Sequence, residues 1–202
     1  MHISNRKFIF YLLAIIALTA YFLHVWIGTI LYEGYNPLSQ AISDLTAEDS
    51  PVKHITRVFS NLYGFLSVIV VGAFIFYSRK YPSKLLRVGI LLLSLMIMIS
   101  AVGYALFPLS ESGYAGTFKD IMHMVITGFV VGLTLMALIL LFIAFKNSIY
   151  KIVTLIALTL LIASPILMTF CSPDYFGVIE RISVYTVVLY FGFLATVILY
   201  KK

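Results

Sequence analysis

The sequence predicts an all-α membrane protein, a bundle of six transmembrane helices with both termini in the cytoplasm. Three observations carry that expectation. Of 202 residues, 62% are hydrophobic and 11% charged, whereas a soluble domain carries roughly 25% charged residues. The charges leave six long free stretches: 8–32 (25 residues), 58–78 (21), 88–110 (23), 121–145 (25), 152–173 (22) and 182–200 (19). A helix needs about 20 predominantly apolar residues to cross the hydrocarbon layer. The basic residues, finally, are segregated. Ten of the 14 Lys and Arg lie in four segments without acids (Arg6–Lys7, Arg79–Arg87, Lys146–Lys151, Lys201–Lys202), and all eight acids lie in the three alternating connections. The positive-inside rule puts the basic segments in the cytoplasm and the acidic loops outside.

The elements follow in order. The first apolar run is too long for the 7–15-residue core of a signal peptide and continues to Trp26 and Tyr32, aromatic residues suited to an interface; it reads as a retained span. The expected spans are about 8–31, 54–78, 86–107, 120–145, 152–171 and 179–200, within one integral membrane domain over 1–202. Short connections at Arg79–Arg87 and Lys146–Lys151 pair spans 2–3 and 4–5 as hairpins. The longest connection, Glu33–Arg57, opens with Asn36-Pro37, a cap followed by proline. Leu38, Ala41, Ile42 and Leu45 then repeat at i, i+3, i+4 and i+7, predicting a short amphipathic helix on the outer surface over Pro37–Ala47. Ser50-Pro51 repeats the cap signal, so the second helix is expected to start there. Ser164-Pro165 predicts a freed carbonyl in span 5.

Polar groups in a membrane face the bundle or a wet cavity. On span 4, Asp120, His123 and Thr127 share one stripe; on span 2, His54, Arg57 and Asn61 share another; span 6 opens with Glu180 and Arg181, and span 1 carries His24 near its outer end. With Asp44 from the loop, these ten residues are the candidates for an outward-facing polar pocket, in a protein that binds a lipid or small amphiphile there or acts as an accessory or protective protein for a partner. Neutral imidazole and carboxylate suit zinc, so His24, His54, His123 and Asp120 also raise a metal-dependent lipid hydrolase. No two of these histidines stand at i, i+4, however, and polar packing is the stronger reading. Interhelical pairing, such as Arg57 with Asp120 or Arg181 with a carboxylate, is the ordinary expectation for such charges. A transporter ranks lower, because the inner halves of the spans offer little polarity beyond Ser78, Ser94 and Thr134. Membrane lipids are the expected partners. Nucleic acid is not, since the basic residues line the membrane surface. No cofactor motif is visible, and the lone Cys171 rules out an intrachain disulfide.

The segment GYNPLSQAISDL after the first span, Phe107-Pro108 closing span 3, Lys119-Asp120-Ile-Met-His123 entering span 4 and Gly177-Val-Ile-Glu180-Arg181 opening span 6 resemble the bacterial and archaeal "domain of unknown function 998" membrane family. The resemblance runs from about Tyr11 to Leu199 and implies six spans with a polar outer face, but no activity. A second, shorter likeness, AISDLTAEDSP over Ala41–Pro51, is to the DRAM-like multi-pass proteins.

Overall fold

A computed structural model describes residues 5–200; Lys201 and Lys202, part of the charge pattern above, lie outside them. Among the described residues there is no strand. Six helices form: α1 (Asn5–Leu31), α2 (Lys53–Ser78), α3 (Lys84–Leu106), α4 (Phe118–Ala144), α5 (Ser148–Phe170) and α6 (Phe176–Ala195), the last continuing as a π-helical turn over Thr196–Tyr200. All six segments are long and apolar enough to cross a membrane. The chain is an integral, multi-pass helical membrane protein.

Local chemistry sets several helix starts. The Ser83 hydroxyl accepts the Leu86 N–H (3.2 Å) at the start of α3, and the Asn147 side chain accepts the Ile149 and Tyr150 N–H groups (2.9 and 3.2 Å) at the start of α5. α4 opens with a full capping box between Thr117 and Asp120. α3 stops before Pro108, whose ring disfavours helical backbone in the preceding residue. α5 runs through Pro165, which has no N–H to offer the Leu161 carbonyl.

The helices pack in chain order, and α6 returns against α1. Both described ends of the chain lie at one end of this ring; the connections 32–52, 107–117 and 171–175 lie at the other, here called the cap end. The larger core cluster, with Phe74, Leu93, Met96, Leu138, Phe191, Leu194 and Ile198, fills the half nearer the termini. A smaller one, Tyr21, Val25, Tyr35, Ile42, Leu45 and Val188, joins the cap-end half to the first connection. Long apolar side chains such as Phe65 and Phe129 point outward, as a lipid-facing surface requires.

The first connection corrects the sequence expectation. Instead of an amphipathic helix over Pro37–Ala47, the chain makes a turn at 37–39 and one short 3-10 helix, Ser43–Thr46. The Asn36 carboxamide does accept the Leu38 N–H (3.0 Å), but the helix stops there. The backbone groups that would continue it bond to side chains from elsewhere: the Ile42 N–H to Glu180 (2.7 Å), the Ala41 carbonyl to the Tyr35 hydroxyl (2.6 Å), and the Pro37 and Gln40 carbonyls to Arg181. Ser50 is likewise no cap. Its hydroxyl donates to the Leu45 carbonyl (3.1 Å), and α2 begins at Lys53 after a Pro51-Val52 turn.

Candidate functional site

Residues 32–52 form a cap seated on the bundle, held from three sides. On the α6 side, Gly177 lets the cap backbone approach α6 so closely that an added methyl carbon would lie 2.7 Å from the Pro37 oxygen. Above it, Arg181 Nη1 donates to the carbonyls of Pro37 (2.8 Å), Gln40 (2.9 Å) and Gly177 (2.8 Å), and Nη2 to the Tyr35 hydroxyl (2.5 Å). On the α2 side, Arg57 donates from Nε and Nη2 to the Thr46 carbonyl (3.0 and 2.9 Å), and the buried Thr56 hydroxyl donates to Leu45 (2.7 Å).

The third side is the 107–117 connection. The Asp44 carboxylate, 2% exposed, accepts the Ala41 and Gly113 N–H groups (3.0 Å each). Asp49 accepts from Ser112, the Glu48 N–H donates to Leu109 (2.8 Å), and Lys119 pairs with the Glu48 carboxylate at 2.6 Å. Asp120, fully buried, closes that connection by accepting the Ser110 N–H (2.7 Å) and the Thr117 N–H (2.9 Å).

Electrostatics in the cap follow from this seating. Burial pushes the Asp44 carboxyl above the usual aspartate range, although the Gly113 and Ala41 N–H groups oppose it. Burial likewise raises the Tyr35 phenol to about 12. The exposed Glu48 carboxyl is held below its ordinary value by its hydrogen bond from Lys119.

The ten candidates thus fall into distinct groups. Arg57, Arg181, Asp44 and Asp120 are engaged with backbone groups. The expected Arg57–Asp120 pair does not form, because each finds a backbone partner nearer by; Lys119–Glu48 is the ion pair among the described residues. Thr127 bonds the Tyr104 hydroxyl (3.0 Å) and its own helix. His54 and Asn61 point outward and are exposed.

His24, His123 and Glu180 remain. His123 Nδ1 lies 2.9 Å from the Phe107 carbonyl; a carbonyl only accepts, so Nδ1 carries the proton and Nε2 of the neutral ring is a bare acceptor. The Tyr104 ring packs on this imidazole with centroids 4.7 Å apart. His24 is 4% exposed, against Tyr21 (5.4 Å between centroids), and neither ring nitrogen has a well-formed hydrogen bond. Glu180 uses one oxygen for Ile42; no hydrogen bond among the described residues reaches the other. It lies within electrostatic reach of Tyr21, Tyr104 and Tyr185.

Among the described residues no three His, Cys, Asp or Glu side chains converge as a metal site. Two shallow grooves stand out on the surface, of about 390 and 380 Å³. Both are apolar, one along α4 (Val125 to Met136) and one along α1 (Ile15 to Trp26). Sequence reasoning missed Gly177, although it stands in the quoted motif, and missed the tyrosines. Tyr21 and Tyr63 lie well inside α1 and α2 rather than at their ends, and that placement was the available signal; Tyr104 stands at the end of α3, where an aromatic residue is ordinary.

Fold and site together define a multi-pass helical membrane protein with a pinned cap over a polar, aromatic end of its interior. The chain belongs to the family described as "Protein of unknown function (DUF998)", which matches residues 15–197. No curated protein and no solved structure matches the chain, and the DRAM-like likeness finds no counterpart among these comparisons.

Proposed function

We propose that this is a non-catalytic binding protein of the cell membrane, with both termini cytoplasmic and the cap facing outside, and that it receives the polar head of a lipid or other amphiphile beneath the cap. One observation carries the reading: Glu180, His123 and His24 hold acceptor atoms in the cap-end interior that the fold itself does not use. Unsatisfied polar groups in a bilayer are costly, so such groups are best understood as awaiting a ligand. The cap-end half of α5 favours lateral entry. Its Ile166, Leu167 and Phe170 are 51%, 42% and 84% exposed, so a tail can lie along it while the head turns inward. Ten residues across five elements were candidates; these three, with the tyrosines around them, form the pocket in this reading.

The experiment is native mass spectrometry of protein extracted from its own membranes in mild detergent. A discrete amphiphile retained on the wild-type chain and lost from His123→Ala is the expected result. A wild-type spectrum with no adduct beyond detergent would overturn the proposal.

A further inference from the structure

Given that reading, the chemistry of the atoms left without partners identifies the head. We propose that the cap-end interior binds a protonated amine, an organic ammonium carried by a lipid or by a free amphiphile. Glu180 and His123 each leave an acceptor open, and the neutral His24 ring leaves one acceptor nitrogen beside its single N–H. Glu180 offers a carboxylate oxygen, His123 offers Nε2, whose tautomer is set by the Phe107 carbonyl, and His24 offers an imidazole 96% buried without a well-formed hydrogen bond. Around them stand Tyr21 and Tyr63, ring to ring at 4.9 Å, and Tyr104 on His123. An ammonium supplies three N–H donors and no acceptor, and it is attracted to tyrosine faces.

The guanidinium donors already present do not meet this demand. Arg181 is committed to three carbonyls and the Tyr35 hydroxyl, and Arg57 to Thr46. Neither forms an ion pair with Glu180 or Asp44, since the ion pair among the described residues is Lys119–Glu48. A phosphate or carboxylate head would meet the opposite situation: carboxylates nearby and no uncommitted guanidinium. A neutral alcohol brings a single O–H donor and would leave the other open acceptors unmet.

The test uses the full chain in mild detergent, titrated with n-decylamine and, separately, 1-decanol, with binding read by calorimetry. Decylamine is expected to bind and decanol to bind at least about tenfold more weakly, the step expected for one charge-assisted contact. Glu180→Gln keeps an oxygen for the Ile42 N–H and should lose about tenfold in decylamine affinity while leaving decanol unchanged. Should that variant not fold, the amine-to-alcohol ratio of the wild type decides alone. Equal binding of the two probes, or full amine affinity in Glu180→Gln, overturns the ammonium assignment while leaving an amphiphile site standing. Binding of neither probe removes both. Reconstitution into nanodiscs of phosphatidylethanolamine or phosphatidylglycerol then separates the sources. Displacement of decylamine only by the ethanolamine lipid identifies a lipid head, and displacement by neither identifies a free amine.

Discussion

Replacing Gly177 by alanine sets two physical effects against each other with opposite signs. On helix propensity alone the change is favourable by roughly 0.5–1 kcal/mol. In this structure the new methyl carbon would stand 2.7 Å from the Pro37 oxygen, closer still to the Gln40 oxygen, and 2.9 Å from Arg181 Nη1. Carbon–oxygen contacts ordinarily begin at about 3.3 Å, so the cap has to recede by more than half an ångström or so. The Arg181 bonds to Pro37 and Gln40, at 2.8 and 2.9 Å, stretch with it. Overpacking costs about 1–3 kcal/mol, and each weakened bond to a charged donor forfeits part of about 1.5–3. The net expectation is a loss of about 2–4 kcal/mol, well beyond the propensity gain. Gly72→Ala is the control, because nothing lies within 4 Å of the methyl it would add. Thermal unfolding in detergent should place Gly177→Ala well below wild type and Gly72→Ala at or slightly above it, and limited proteolysis should cut 33–52 faster only in the former. Equal melting temperatures for the two variants, with the cap equally resistant, would refute the seating of the cap on α6.

Arg57→Ala removes both donors to the Thr46 carbonyl and should cost about 1–3 kcal/mol, whereas Lys119→Ala, breaking a pair 47% and 41% exposed, should cost less than about 1; comparing the two melting temperatures checks the order. The folded Asp44 carboxyl keeps its proton to higher pH than an unfolded aspartate, near 4. The folded state therefore binds more protons in that window, and stability should fall as pH rises through it. Asp44→Asn should flatten this slope, and unchanged slopes across that range would count against it. Cys171 is exposed beside α5 at the cap end, so a membrane-impermeant maleimide added to intact cells should label it if the cap faces outward; labelling only after lysis would reverse the orientation.

The six helices were legible because the constraint behind them is one-dimensional: the absence of charge over some twenty residues needs no knowledge of neighbours. The cap was not legible in the same way. Leu38, Ala41, Ile42 and Leu45 carry a helical period, yet Tyr35 takes the Ala41 carbonyl, Glu180 the Ile42 N–H, and Arg181 the carbonyls of the intervening Pro37 and Gln40; Glu180 and Arg181 lie some 140 residues away in the chain. Spacing along a chain says nothing of such partners. Glu180, Arg181, Asp44 and Asp120 were recognisable as polar groups in an expensive place, but the natural guess paired opposite charges. A backbone carbonyl or N–H is just as good a partner for a buried charge and is far more numerous, so Arg57 meets Thr46 rather than Asp120.

That preference has a physical origin that also explains which residues are free for a ligand. A bilayer edge does not tolerate irregular backbone without partners, and the cap is irregular from Tyr32 to Val52 apart from one 3-10 turn. Each carbonyl or N–H facing the bundle has to be met; backbone meets some, as Leu109 meets the Glu48 N–H and Val178 the Leu38 carbonyl, and the side chains that meet others are those whose reach and donor count match, chiefly guanidinium for carbonyls and carboxylate for N–H groups. Imidazole fits this task poorly, with one donor and one acceptor in a rigid ring. The two buried histidines accordingly leave nitrogens unmatched, and Glu180, reaching a single N–H, leaves one oxygen. Removing a side chain of the first kind should loosen the cap, and removing either histidine should leave the cap in place and change what lies beneath it; Glu180, which also holds the Ile42 N–H, has to be changed to glutamine rather than removed. Stability and ligand preference are therefore separable in this bundle, because they draw on different atoms of the same polar layer.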